Sequence, residues 1–381
     1  MSEHAMPEHS VSKQHESAKI MENHQFRPVW VEVDLGAAQH NLAVVRESCP
    51  HARVMAVVKA NGYGHGMLEM AKALQDADEF GVNSIDDVLA LRQAGIEKPC
   101  TLFAPLLDVR TLDACAEFNA RPTIFDREHL ELLAQWKTES ELDVWLKIDT
   151  GMGRLGFTSD DVATLVDTLK SLPCIKEVSL MSHLANADDL HNSDNQTQFG
   201  DVAHLNSHHS FAETSVLNSA GVVNFPDHAY QIVRPGMMLY GMTPCLVKSA
   251  DELGLKRVMG FYSRLISVKP VIAGQKIGYG GDYVVTEDTV MGIAAVGYGD
   301  GYPRHAPTGT PVWINGSAAP IMGRVSMDMI AIDLGKVEAK VGDKVELWGS
   351  HIAIESLAKA CGTIAYELVC GILPRVERHY S

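Results

Sequence analysis

From Val29 onward, short apolar runs alternate with longer segments whose apolar positions recur at helical spacing. Residues 29–35 alternate as a half-buried strand does, and residues 36–47 carry the spacing of an amphipathic helix. Strand runs then follow at 54–58, 80–83, 101–103, 122–125, 142–148, 177–181, 214–217 and 230–233, with helical stretches at 67–75, 85–93, 127–136, 159–171 and 195–210. Repeated βα units predict a parallel sheet, and their extent of roughly 220 residues suits closure into an eight-stranded barrel.

Near residues 253–261 the pattern changes. Strand runs now follow one another directly, at 264–270, 275–279, 290–296, 311–314, 320–322, 329–334 and 344–348, with Gly and Pro between them. One helix around 354–360 precedes the last strands. The fold class this predicts is α/β, an N-terminal (β/α)8 TIM-type barrel over residues 28–258 followed by a C-terminal mostly-β domain over 259–381. Residues 1–27 carry His4, His9, His15 and His24 among Ser, Glu and Lys, without the apolar core of a signal peptide, and read as a solvated tail outside the fold.

Composition narrows the function. A hydrophobic fraction of 46% and a charged fraction of 21% are those of a globular protein with a sizeable core. The net charge of −16 argues against nucleic-acid and anionic-membrane partners, which are bound through clustered Lys and Arg. Seven scattered cysteines without a C-x-x-C pair predict reduced thiols in a cytoplasmic protein, with neither a disulfide framework nor a zinc site. No apolar run approaches the roughly 20 residues that span a bilayer.

The candidate chemistry lies at strand ends. Residues 54–58 are apolar and stop at Lys59, which is followed by Gly62, Gly64 and Gly66. An amine at the end of an apolar strand has a lowered pKa when buried, as a Schiff-base lysine requires, whereas a lysine that snorkels to water does not. The glycines permit close backbone approach to a ligand or turns with positive φ. Lys147 and Asp149, His183, and Asn218 with Ser219 likewise follow predicted strands, and in a barrel the carboxyl ends of all strands share one face. Taken singly, Arg154 suits a salt-bridged loop arginine and His183 a structural histidine; together these residues are expected to converge.

The string VVKANGYGHG at 57–66 closely resembles the cofactor-lysine motif of the alanine racemases, enzymes dependent on pyridoxal 5'-phosphate. The resemblance extends through KIDTGMGRLG at 147–156, SHLANAD at 182–188, NSAG at 218–221, RPGMMLYG at 234–241 and IGYGGD at 277–282. It implies that Lys59 holds the cofactor and that Tyr63, Asn218, Ser219, Gly236 and Tyr366 surround its phosphate. Arg154 would meet the cofactor's phenolic oxygen and the substrate carboxylate, oriented by Lys147, which is often carbamylated in the family. His183 would lie beside the ring, bonded to Arg234, and Arg234 would face the pyridine nitrogen.

Racemisation needs proton exchange on both faces of the α-carbon. The resemblance makes Lys59 one base and Tyr279, reaching across a head-to-tail homodimer, the other; composition alone would make Tyr279 an ordinary β-domain tyrosine. A tyrosine near its reference pKa of about 10 needs nearby positive charge for this work, with the His183–Arg234 link as the candidate source. Met327 is implied as a backbone contact to the substrate carboxylate, and Tyr298 as part of the entrance. Ser326 stands where many members have cysteine, and 80–84 departs from the usual alanine-containing strand end.

The expected activity is interconversion of L- and D-alanine, supplying D-alanine for peptidoglycan. A racemase of broader specificity, acting on lysine, arginine or serine, would share these motifs. A non-catalytic carrier of the cofactor would lack the β domain and Tyr279. A barrel-type decarboxylase would carry a carboxylate where Arg234 stands.

Overall fold

The computed structural model describes residues 27–381, so the four tail histidines lie outside the described residues. Its strands are β1 (Val29–Val33), β2 (Arg53–Val57), β3 (Glu79–Val82), β4 (Cys100–Leu102), β5 (Ala120–Ile124), β6 (Leu142–Lys147), β7 (Ile175–Met181), β8 (Thr214–Ser215) and β9 (Ile232–Val233). Strands β2 to β9 form one parallel sheet in the order β8-β7-β6-β5-β4-β3-β2-β9. Its free edges meet just beyond the strands, where the Arg234 N–H donates to the Leu217 carbonyl at 2.9 Å. The result is the TIM-type barrel expected from the βα pattern.

Local chemistry starts the helices of the outer ring. Asp34, Ser84, Asp108 and Asp126 each accept a backbone N–H at a helix N-terminus. Two helices of the barrel were not foreseen from periodicity: Ser219–Asn224 is too short for a period to show, and Val109–Glu117 has only Leu112 and Cys115 buried on its inner face. For the latter, the Asp108 cap was the available signal.

The second domain contains β10 (Met259–Val271), β11 (Lys276–Ile277), β12 (Tyr283–Val284), β13 (Thr289–Ala294), β14 (Pro311–Ile314), β15 (Ser317–Met322), β16 (Ile330–Asp333), β17 (Lys344–Trp348) and β18 (Glu377–Tyr380). Strand β10 pairs with β17 and also with β13, closing a circuit through β16, β15 and β14. A register shift between Leu265 and Ser267 lets one long strand serve both edges.

Two expectations need correction. Strand β1 does not belong to the barrel: it pairs antiparallel with β10 and parallel with β18, so both ends of the described chain join the second domain's sheet. An alternating strand looks the same in either sheet, and only its partners decide. Arg27, assigned to the tail, is anchored by ion pairs, with Asp300 at 2.7 Å and Asp328 at 3.6 Å.

Among the described residues, no helix is long and apolar enough to cross a membrane.

Candidate active site

The carboxyl end of the barrel opens into a cavity of about 350 Å³ lined by Lys59, Tyr63, Lys147, Arg154, His183, Asn218, Ser219, Arg234, Gly236 and Tyr366. Thus all ten residues expected from separate motifs in the barrel and at Tyr366 converge. Lys59 arrives there two residues beyond β2. Lys147 ends β6, and His183 stands two residues beyond β7. Tyr366 reaches in from helix Ala365–Cys370 of the second domain.

The turn after Lys59 is strained. Ala60, Asn61, Gly62 and Tyr63 have φ values of 52°, 54°, 60° and 50°, a left-handed turn that costs about 1–2 kcal/mol for each residue with a Cβ. This turn swings Tyr63 inward, where its ring lies 4.7 Å from that of Tyr240 and 5.3 Å from that of Tyr366. The glycines do something other than expected at Gly64: a Cβ there would overlap the Val369 carbonyl oxygen, so the missing side chain admits the second domain's backbone. Gly236 does admit a functional group, since a Cβ there would overlap the Tyr63 hydroxyl.

Four cationic side chains, Lys59, Lys147, Arg154 and Arg234, line this cavity, and no carboxylate does. Asp149, the nearest acid in sequence, is occupied by the backbone N–H groups of Gly151, Gly153 and Arg154 at 2.9, 3.1 and 3.0 Å. Burial and the charge of Arg154 lower the pKa of Lys59, whose amine lies 5.7 Å from the ring centre of Phe103. Burial, followed by Arg234 and Arg154, brings Lys147 down to about 8. A pocket of unneutralised cations fits a ligand that supplies the negative charge.

Arg234 is fully enclosed and donates to Ser215 Oγ and to the Ser182 carbonyl, both at 2.6 Å. Burial lowers its pKa to about 10, which leaves it charged at neutral pH. Its Nη2 lies 3.4 Å from His183 Nδ1. Burial and then Arg234 push the His183 pKa well below its ordinary value, so the imidazole is neutral and Nδ1 accepts. Ser219 Oγ accepts the N–H groups of Gly236 at 2.8 Å and Met238 at 3.3 Å, tying the two segments expected at a phosphate.

Three expected residues stand apart from this cavity in the single chain. Tyr279, Tyr298 and Met327 belong to the second domain and are exposed, Tyr279 by 72%. Tyr298 and Met327 are neighbours, linked by backbone hydrogen bonds from Tyr298 to Ser326 and from Gly299 to Met327.

The lining also contains residues that motif reading passed over, among them Asn83, Phe103, Thr123 and Met181. Thr123 is 1% exposed, and its hydroxyl has no hydrogen-bond partner. Its inward position followed from strand parity, because it pairs with Trp145 two residues before Lys147. An orphaned hydroxyl in the wall that carries four cations agrees with a polar, negatively charged ligand.

Comparison with known proteins gives the same direction over both domains. Residues 33–244 match the family model described as alanine racemase, N-terminal domain, and residues 258–380 match alanine racemase, C-terminal domain. The alanine racemase of Vibrio parahaemolyticus is 44% identical over 351 residues, covering 92% of this chain and 98% of its relative. That of Nitrosospira multiformis is 39% identical over 353 residues, covering 92% and 99%. Among solved structures, the biosynthetic alanine racemase from Pseudomonas aeruginosa superposes with a TM-score of 0.90 at 38% identity, covering 93% of this chain and all of that one. The alanine racemase from Acinetobacter baumannii gives 0.89 at 35%, with coverage of 93% and 100%.

Proposed function

The chain belongs to the alanine racemase family, and from that premise we propose that it interconverts L- and D-alanine with pyridoxal 5'-phosphate, using Lys59 and Tyr279 as the two bases. D-alanine for cell-wall peptidoglycan is the proposed use of the product. The observation that carries the reading is the cavity itself, where a half-buried lysine of lowered pKa meets three further cations and no lining carboxylate.

Lys59 would hold the cofactor, Tyr63, Asn218, Ser219, Gly236 and Tyr366 would surround its phosphate, and Arg234 would face its ring nitrogen. Bound in this way, pyridoxal phosphate supplies an electron sink that acidifies the substrate's α-proton. Arg234 limits that sink, because a guanidinium held by Ser215 and Ser182 stays protonated and cannot accept the pyridine nitrogen's proton. His183, neutral and accepting, leaves the positive charge on Arg234. Arg154 is exposed at the mouth and is available for the substrate carboxylate. Carbamylation of Lys147, favoured by a pKa near 8, would replace one cation by an anion near Arg154.

Lys59 moves a proton on one face of the α-carbon. The second face requires Tyr279, which a lone chain leaves exposed and outside the cavity; a second copy, docked head to tail, would bring its own Tyr279, Tyr298 and Met327 to the mouth. A homodimer with shared sites is therefore part of the proposal, and soluble cytoplasmic location accompanies it.

The test follows the circular dichroism of L-alanine, with L-lysine, L-arginine and L-serine in parallel, during incubation with protein and cofactor. Decay to zero for alanine alone supports the assignment. Decay across the panel moves it to a broad-specificity racemase, and no decay sinks it. In the same assay Tyr279→Phe should retain the cofactor's absorbance and lose most L-to-D turnover; full activity would remove Tyr279 from the two-base scheme.

A further inference from the structure

Helix Asp194–His208 contributes no residue to the expected site, yet Gln198 on it is 1% exposed and makes three hydrogen bonds. Its Nε2 donates to Thr150 Oγ1 at 3.1 Å and to the His183 carbonyl at 3.0 Å, and its Oε1 accepts the Ala185 N–H at 3.0 Å. The backbone carbonyl and N–H fix the amide's orientation, since a flipped amide would oppose oxygen to oxygen and N–H to N–H.

From Gln198 the bonds run on in one direction. Thr150 and Ser182, both buried, have their hydroxyl oxygens 2.8 Å apart. Ser182 Oγ donates its only hydrogen to the Ile148 carbonyl at 3.0 Å. Thr150 must then donate to Ser182, which leaves its oxygen free to accept from Gln198. The Ser182 carbonyl in turn accepts from Arg234 at 2.6 Å.

The geometry points to Gln198, Thr150 and Ser182 as a positioning clamp: a directional relay that ends on the Ile148 carbonyl and locks the loop carrying Arg154 to the strand end carrying His183, where the Ser182 backbone carbonyl separately holds the guanidinium of Arg234. The three side chains act through other groups and line no part of the cavity wall. Without the clamp, the loop of 149–156 keeps its Asp149 turn but loses its side-chain tie to the neighbouring strand end. Arg154, exposed at the tip, then samples more positions, and substrate capture suffers before proton transfer does.

This role rests on the racemase reading in its kinetic arm and stands independently of it in its structural arm. Thr150→Val keeps shape and removes the hydroxyl, while Thr150→Ser keeps the hydroxyl. Hydrogen-exchange mass spectrometry of peptides covering 149–156 and 183–187 should show about tenfold faster exchange in Thr150→Val and wild-type exchange in Thr150→Ser. The KM for alanine should rise about tenfold in Thr150→Val with kcat within about threefold of wild type, and recover in Thr150→Ser.

Gln198→Glu, which keeps the acceptor for Ala185 and loses both donors, should repeat the Thr150→Val pattern and serves where that variant does not fold. Wild-type exchange in Gln198→Glu, or equal exchange and KM in the two Thr150 variants, overturns the clamp. Inactivity of the wild-type protein overturns the racemase reading and leaves the exchange result standing.

Discussion

The two ends of the barrel treat buried charge in opposite ways. At the carboxyl end, Lys59, Lys147, Arg154 and Arg234 face a cavity without a lining carboxylate. At the amino end, Arg121 is met by Glu79 at 3.4 Å and Glu213 at 2.8 Å, bonds Ser179 at 2.9 Å, and stacks 4.4 Å over the ring of Trp145. Thr101 joins by donating to Glu79 and accepting from Trp145. Met55, Trp145, Met181 and Ile232 form the apolar layer that separates the ends. Charge that serves the fold is paired from within the chain, whereas charge that serves a ligand is left for the ligand to neutralise.

The contrast can be tested most severely at Lys59. Replacing it by alanine should reduce racemisation by at least about a thousandfold, the scale of losing a positioned base and covalent anchor. Stability without cofactor should hold or rise, because a poorly solvated cation has been removed. Polarimetry and a thermal melt check both halves, and marked destabilisation would mean that Lys59 is structural.

Arg121→Met should give the mirror result. Arg53 stays paired with Glu213, but removing Arg121 takes from buried Glu79 its ion-pair partner and leaves that charge poorly compensated, with an expected loss of about 3–5 kcal/mol in barrel stability. Chemical denaturation measures it. Glu79, whose pKa burial already raises against the opposing pull of Arg121, should take up a proton in this variant. Unchanged stability would show that the network is incidental.

The smallest effect concerns pH. Lys147 titrates near 8 in the fold, against about 10.4 when unfolded, so between these values the unfolded chain binds more protons. Its contribution to stability is therefore full above the unfolded value and is lost as pH falls through 8. In carbon-dioxide-free buffer the melting temperature of the wild type should gain between about pH 8 and 10.5 relative to Lys147→Met. Parallel profiles for the two proteins would show that Lys147 does not titrate there.

Much of this architecture was legible along the chain. The eight barrel strands and the change of pattern near residue 258 are visible as periodicity, and the run of VVKANGYGHG announces Lys59. Helix Val109–Glu117 was hidden by its sparse inner face, and β1 by the fact that alternation does not name a partner. Gly64 carried the right freedom for a reason the string could not disclose, the passage of Val369. Gln198 and Thr123 sit in no motif, and their roles arise from neighbours brought by other strands and helices.

What the amino-acid order determined by itself is therefore local: the periods of 2 and 3.6 that choose strand or helix, the caps that start helices, and the residue types placed at strand ends. These depend on interactions within a few residues. The tertiary structure alone decided that four cations would share one cavity, that Arg121 would be paired, and that Tyr279 would stay outside. Burial and Coulomb energies depend on distance through space, and closing the barrel is what makes residues as remote as Lys59 and Arg234 neighbours.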